Sequence, residues 1–251
     1  MGAGTKYCIL PSPQHPYRPV AVTHELLAKT FDTWAHQGRH SGMEREHGDV
    51  VRQVLARMDP KPGDMVLDLG CGSGWATRLL AQARPGISAV GIDVAPAMIA
   101  QAEREHRLTI RARYEVAPFE SLPFPERKFD RAFSMEALYY AVDLPKALAE
   151  LARVLKPGAK ADIVVDYYAE NSGTAAWPKI CGVNMLCLSE AQWTAAFRTA
   201  GFASVELERV RDSRGPGLEA AFQPSECYAD WATWKAVKDA GSLWIRALRA
   251  S

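Results

Sequence analysis

The stretch that decides the fold is Val66-Leu67-Asp68-Leu69-Gly70-Cys71-Gly72-Ser73-Gly74. A short apolar run bounded by turn residues reads as a buried parallel strand, here Met65 to Leu69, and the glycines then feed a helix running to about Arg84. Glycine suits such a turn because a ligand must approach the backbone closely, Cβ atoms would block it, and positive φ costs glycine nothing. The turn is therefore expected to cradle a ligand. A dinucleotide fingerprint, G-x-G-x-x-G counted from Gly70, needs a third glycine at position 75, where Trp75 stands, and a dehydrogenase is disfavoured.

Upstream of the turn, Thr23 to Trp34 has a helical pattern, and Met43 to Met58 places Val50, Val51, Val54, Leu55 and Met58 on one stripe of an amphipathic helix. Pro60, Pro62 and Gly63 stop it. Downstream come a strand over Ser88 to Asp93 and a helix opening at Pro96. Strands over Arg111 to Val116 and Phe129 to Ser134, a helix over Leu144 to Leu155 and a strand over Ala161 to Asp166 continue the alternation. That order implies an α/β fold, a doubly wound, mostly parallel sheet with helices on both faces. A helix over Ser189 to Ala200, closed by Gly201, is followed by strands over Ser204 to Val210 and Ser242 to Leu248. An insertion with its own helix, Glu226 to Asp239, separates those two strands.

Composition narrows the function classes. With 30 basic against 29 acidic side chains in 251 residues, a purely electrostatic grip on nucleic acid is not expected. At 48% hydrophobic and 24% charged, the chain reads as an ordinary globular protein. Its longest run without Asp, Glu, Lys or Arg, Tyr7 to Tyr17, carries three prolines and falls short of the ~20 residues of a membrane helix. Five cysteines without a C-x-x-C pair fit reduced thiols, and the N-terminus lacks the apolar core of a signal peptide, so a cytoplasmic protein without a metal site is expected. Pro11 to Pro19 reads as a flexible arm.

The turn G-x-G-x-G, preceded by an acid in the strand, resembles that of the class I S-adenosylmethionine-dependent methyltransferases. The resemblance extends to Gly91-Ile92-Asp93, to Leu122-Pro123-Phe124-Pro125 with Phe129-Asp130, and to Glu150-Leu151-Ala152-Arg153-Val154-Leu155-Lys156-Pro157-Gly158. These segments look like the small-molecule branch that includes the ubiquinone and menaquinone C-methyltransferases, over roughly Thr23 to Gly201. It implies a Rossmann-like seven-stranded sheet with the last strand antiparallel, S-adenosylmethionine as methyl donor, and a small organic acceptor methylated at O, N, C or S. A single domain over 1–251 follows: arm and lid helices over 1–60, a cofactor-binding core over 61–210, a helical insertion over 211–240 and a final strand over 241–251, with the N-terminal helices and the insertion expected to lie over the site. A monomer or homodimer is expected.

The resemblance also assigns residues. Asp68 faces the donor's amino group; Gly70, Cys71, Gly72 and Gly74 make room for its methionine and ribose; Asp93 accepts from both ribose hydroxyls; and Ser134 joins them from the end of the fourth strand. Val94, Met98 and Phe119 sandwich adenine. Where the branch often carries an Asp for the adenine amino group, this chain reads Ala117-Pro118-Phe119-Glu120, so Phe119 or Glu120 is expected to substitute.

Methyl transfer from a sulfonium is an in-line displacement with a neutral leaving group, so the protein aligns the nucleophile, excludes water and removes a proton where the acceptor carries one. His47 falls on the buried stripe of its helix with Glu44 one turn away to orient it, and is read either as a general base or as a packed histidine. Glu136, just past the fourth strand, and Asp166, ending the fifth, are the other catalytic candidates. Tyr17, Glu44, Tyr139, Tyr140, Tyr168 and Trp177 are candidate acceptor contacts. Cys181, Cys187 and Cys227 raise the idea of a soft acceptor such as arsenite, which the turn does not favour. The rival reading from another class is a non-catalytic subunit that binds the cofactor and regulates a partner.

Overall fold

The computed structural model describes residues 23–107 and 110–251. The Pro11 to Pro19 arm and Tyr17 lie outside the described residues. Helix α1 (His24–His36) starts where the Thr23 side chain accepts from Leu26 N at 3.2 Å, satisfying an orphan donor of the first turn. Helix α2 (Met43–Met58) buries the expected stripe and ends at Asp59 in the left-handed region, φ 49°. The chain then runs β1 (Met65–Leu69), α3 (Trp75–Gln82), β2 (Ser88–Asp93), α4 (Pro96–Arg104), β3 (Ala112–Val116), β4 (Phe129–Met135), α5 (Leu144–Val154), β5 (Leu155–Val165), α6 (Trp177–Cys181), α7 (Glu190–Thr199), β6 (Phe202–Val210), α8 (Trp231–Ala240) and β7 (Ser242–Arg249).

The seven strands lie in the order β3-β2-β1-β4-β5-β7-β6, all parallel except β7, which is antiparallel to both neighbours. Strand side chains alternate between two cores. Val66, Phe133 and Trp244 pack under Val51 and Val54 of α2 and Leu80 of α3, whereas Leu67, Ile163 and Ile245 pack under Leu148 and Leu151 of α5 and Trp193 and Phe197 of α7. Because β1 sends its connections to β2 on one side and β4 lies on the other, a crevice opens at the carboxyl ends of β1 and β4, where such sheets bind ligands. Among the described residues no helix is long and apolar enough to cross a membrane.

Three elements differ from the sequence expectation. Strand β5 begins at Leu155, not Ala161, because Leu155 already pairs with Phe129 and a register irregularity after Phe129 absorbs the Pro157-Gly158 step. The insertion's helix begins at Trp231, not Glu226. Ser225 and Tyr228 exchange backbone hydrogen bonds that hold the chain out of the helix, and Asp230 caps α8 by accepting from Thr233 N at 2.7 Å. Helix α6 was not expected; it carries Pro178 in its first turn.

Candidate active site

At the donor end of the crevice the glycine turn is held by the next strand: the N–H groups of Gly70 and Cys71 both donate to Ile92 O at 2.9 Å. Gly70 has φ +73°, and a Cβ there would sit 2.2 Å from the Ala137 Cβ, so only glycine fits. A Cβ on Gly72 would meet nothing within 4 Å, which leaves a cradle open toward the crevice. Gly74 does not line the cavity; a Cβ there would strike the Tyr114 ring at 2.5 Å, so this glycine serves packing of the turn against β3, a correction to its assigned role.

Two acids flank the turn. Asp68 is buried and accepts from Thr77 Oγ1 at 2.6 Å; burial pushes its carboxyl up to about 7. Asp93 accepts from Gly72 N and Ala95 N, each at 2.9 Å, and burial pushes it up to about 6 against those bonds. Each carboxylate oxygen keeps a second lone pair for a ligand hydroxyl. Val94, Met98, Phe119 and Cys71 line the same cavity, the last with its thiol pushed up by burial. Ser134 is enclosed instead: its hydroxyl donates to Leu69 O at 2.8 Å and ties β4 to β1. Glu120 reaches the cavity wall, accepts from Asp143 N at 2.9 Å and meets His24 Nε2 at 2.8 Å, so it fastens α1 to the loop before α5. His24 is thus part of the wall.

The acceptor end is a chamber continuous with the donor end, together about 900 Å³. Glu136 follows β4 with φ +53°, a conformation that side chains rarely adopt and that functional sites tolerate when neighbours hold it. Its carboxyl accepts from the Tyr139 hydroxyl at 2.9 Å and from Asp166 N; burial, with the Asp166 charge adding, pushes it well above the usual carboxylate range. His47 lines the chamber with Nδ1 3.8 Å from Asp166 Oδ2. Burial lowers its pKa although Asp166 pulls the other way.

Tyr139, Tyr140 and Trp177 line the chamber as expected candidates. Glu44 does not orient His47: it turns to the exposed side of α2 and pairs with Arg52 at 2.9 Å, where a carboxylate keeps its hydration. Tyr168 is also absent from the wall. Its hydroxyl donates to Gly241 O at 2.9 Å and its ring packs under Arg209, between the end of β5 and the start of β7. Sequence reasoning did not single out Phe31 and Trp34 on α1 or Phe222 and Tyr228 in the insertion, all of which line the chamber. Leu27, Phe31 and Trp34 recur at helical spacing, a signal that was legible for α1. Arg39 and Glu226 pair at 3.1 Å across the mouth. Among the described residues no cluster of three or more His, Cys, Asp or Glu is placed to hold a metal ion.

A family profile described as a methyltransferase domain matches residues 66–158, the segment from β1 into β5. A Haloferax volcanii chain solved in complex with the Trm112 methyltransferase activator is 33% identical, with a TM-score of 0.81; the match covers 88% of this chain and 98% of that one. An O-methyltransferase of Aspergillus sclerotiorum is 29% identical over 190 residues, 73% of this chain and 71% of the relative. Demethylmenaquinone methyltransferase of Symbiobacterium thermophilum is 28% identical over 162 residues, 60% of each. The chain belongs to the class I S-adenosylmethionine-dependent methyltransferases, and it is an enzyme that moves a methyl group from that donor to a small organic acceptor. The open Gly72 cradle and the free lone pairs of Asp93 fit the donor's ribose and amino-acid parts.

Proposed function

We propose that this enzyme methylates an acidic hydroxyl, phenolic or enolic, on an apolar planar molecule. S-adenosylmethionine, when bound, supplies an electrophilic methyl carbon. On this reading the cofactor contacts are Asp68, Gly70, Cys71, Gly72, Asp93, Val94, Met98 and Phe119, and Tyr139, Tyr140 and Trp177 hold the acceptor. His47 takes the hydroxyl proton, Asp166 stabilises the resulting imidazolium, and Glu136, accepting from the Tyr139 hydroxyl, orients Tyr139. The observation that carries the proposal is the partly buried His47 imidazole set in an aromatic wall with the Asp166 carboxylate 3.8 Å behind it. The kinship with a named O-methyltransferase supports oxygen as the methylated atom. Curated relatives named as methyltransferases favour catalysis over a regulatory cofactor-binding subunit. The reduced thiols of Cys71, Cys181 and Cys227 support a cytoplasmic location, and a monomer or homodimer is measurable by light scattering.

The test pairs an acceptor panel with a pH profile. Phenols and enols should be methylated on oxygen, and His47→Gln should lower kcat about 100-fold and erase the acidic limb of kcat/KM. Exclusive methylation of amines, or an unchanged acidic limb, refutes the proposal.

A further inference from the structure

His47 has two exposures. One is to the acceptor chamber; the other is to a small polar cavity of about 20 Å³ behind it, which Glu46, Asp166, Asp212 and Lys238 also line. That is room for about one water. Asp166 Oδ1 is buried without a hydrogen-bond partner among the described residues, and Asp166 Oδ2, 3.8 Å from His47 Nδ1, is beyond direct hydrogen-bond reach and within the span that one water bridges.

The far wall is an anchored ion pair. Lys238 Nζ stands 3.3 Å from Asp212 Oδ2, whose side chain is only 4% exposed. Asp212 also accepts from Arg214 N at 3.0 Å and Arg214 Nε at 2.8 Å. Arg214 in turn donates to the carbonyls of Arg45 and Glu46, at 2.7 and 3.0 Å, in the turn of α2 that carries His47. The same turn is gripped again where Asp49 accepts from Ser213 N and Oγ, both at 2.7 Å. The loop after β6 therefore fixes the ion pair and the histidine relative to each other.

We propose that the Asp212–Lys238 ion pair, acting through a water held in this cavity, sets the basicity of His47, which makes Asp212 and Lys238 positioning residues for the methyl transfer. The catalytic consequence rests on the reading of His47 as the base. Four charged groups face the imidazole from four places: Glu46 on α2, Asp166 after β5, Asp212 after β6 and Lys238 on α8. Beyond the effect of burial, Asp166, Glu46 and Asp212 raise its proton affinity and Lys238 lowers it. Asp212 remains an anion at working pH, since burial would raise its carboxyl but Arg214 and Lys238 outweigh that and hold it at about 2. During transfer the acceptor oxygen keeps its O–H electron pair and bonds the methyl carbon, and the C–S pair stays on sulfur. The proton passes to His47 and leaves by the water side.

The experiment titrates His47 by NMR in the full chain, its resonance identified by loss in His47→Gln. Removing the ammonium in Lys238→Met should raise the midpoint, and removing the carboxylate in Asp212→Asn should lower it, each by on the order of one pH unit. The acidic limb of kcat/KM should move the same way in each variant. A midpoint that stays put, or moves in the same direction in both, overturns the proposal. Where Asp212→Asn loosens the Arg214 clamp and fails to fold, Lys238→Met decides alone. Midpoints that separate while the acidic limb stays fixed uphold the tuning and remove His47 as the base.

Discussion

The donor end and the acceptor end of the cavity are built by different rules. Asp68, Gly70, Gly72 and Asp93 come from one β1-α3-β2 unit, in which the turn's backbone N–H groups are anchored on β2, Gly72 N–H to the Asp93 carboxylate and Gly70 N–H to Ile92 O, both at 2.9 Å. His47, Glu136, Trp177 and Tyr228 come from α2, the end of β4, α6 and the insertion, elements remote from one another along the chain. A backbone cradle within one supersecondary unit is precise whatever surrounds it. An assembled wall changes with each loop, which lets one donor site serve many acceptors.

The sharpest way to break this contrast is to add a methyl group at a glycine in each half. Gly70→Ala forces a Cβ into Ala137 at φ +73° and should cost about 2 to 5 kcal/mol of stability in urea unfolding. Gly217→Ala in the insertion, also at positive φ but with nothing within 4 Å, should cost about 1 kcal/mol, the strain of the backbone alone. Equal losses would show that the insertion is as tightly built as the turn.

Next in size, Asp93→Ala should weaken S-adenosylhomocysteine binding in calorimetry by about 1 to 3 kcal/mol, because ligand hydroxyls lose a charged acceptor. The acceptor KM should stay unchanged. A matching rise in the acceptor KM would mean the two ends are coupled.

The smallest effect is in pH. Asp68 is raised in the fold to about 7 from 3.8, so the folded protein binds the proton more tightly than the unfolded chain does. Its contribution to stability is complete below about 4 and is lost as pH rises through about 7. Binding a cationic amino group selects the carboxylate, so donor affinity should rise up to tenfold per unit toward pH 7 and level off above it. Asp68→Asn should flatten both curves, and a parent whose affinity is level from pH 5 to 8 would remove Asp68 from the amino-group contact.

How much was legible follows from where each signal resides. The strand Met65 to Leu69, the glycine turn and the strand Ser88 to Asp93 were read with their observed strand bounds, since apolar runs and turn glycines are local signals. Gly74 was read as a ligand residue because its neighbours are; only the β3 side chain pressed against it reveals a packing role. Glu44 was matched to His47 by helical spacing, which says nothing of which carboxylate arrives from across the fold. The start of the insertion's helix was misjudged because its residues favour a helix until a turn at Ser225 and a cap at Asp230 intervene.

The sequence by itself determined the alternating α/β architecture, the glycine turn and the two acids beside it, because these depend on periodicity and on backbone conformations that particular residues permit. Only the tertiary structure decided that Asp166 and Lys238 face His47, that His24 closes on Glu120 and which side chains of α1 and the insertion wall the chamber. Those contacts join residues remote along the chain, and their geometry is set by strand order, register and helix crossing, none of which a single stretch of residues encodes.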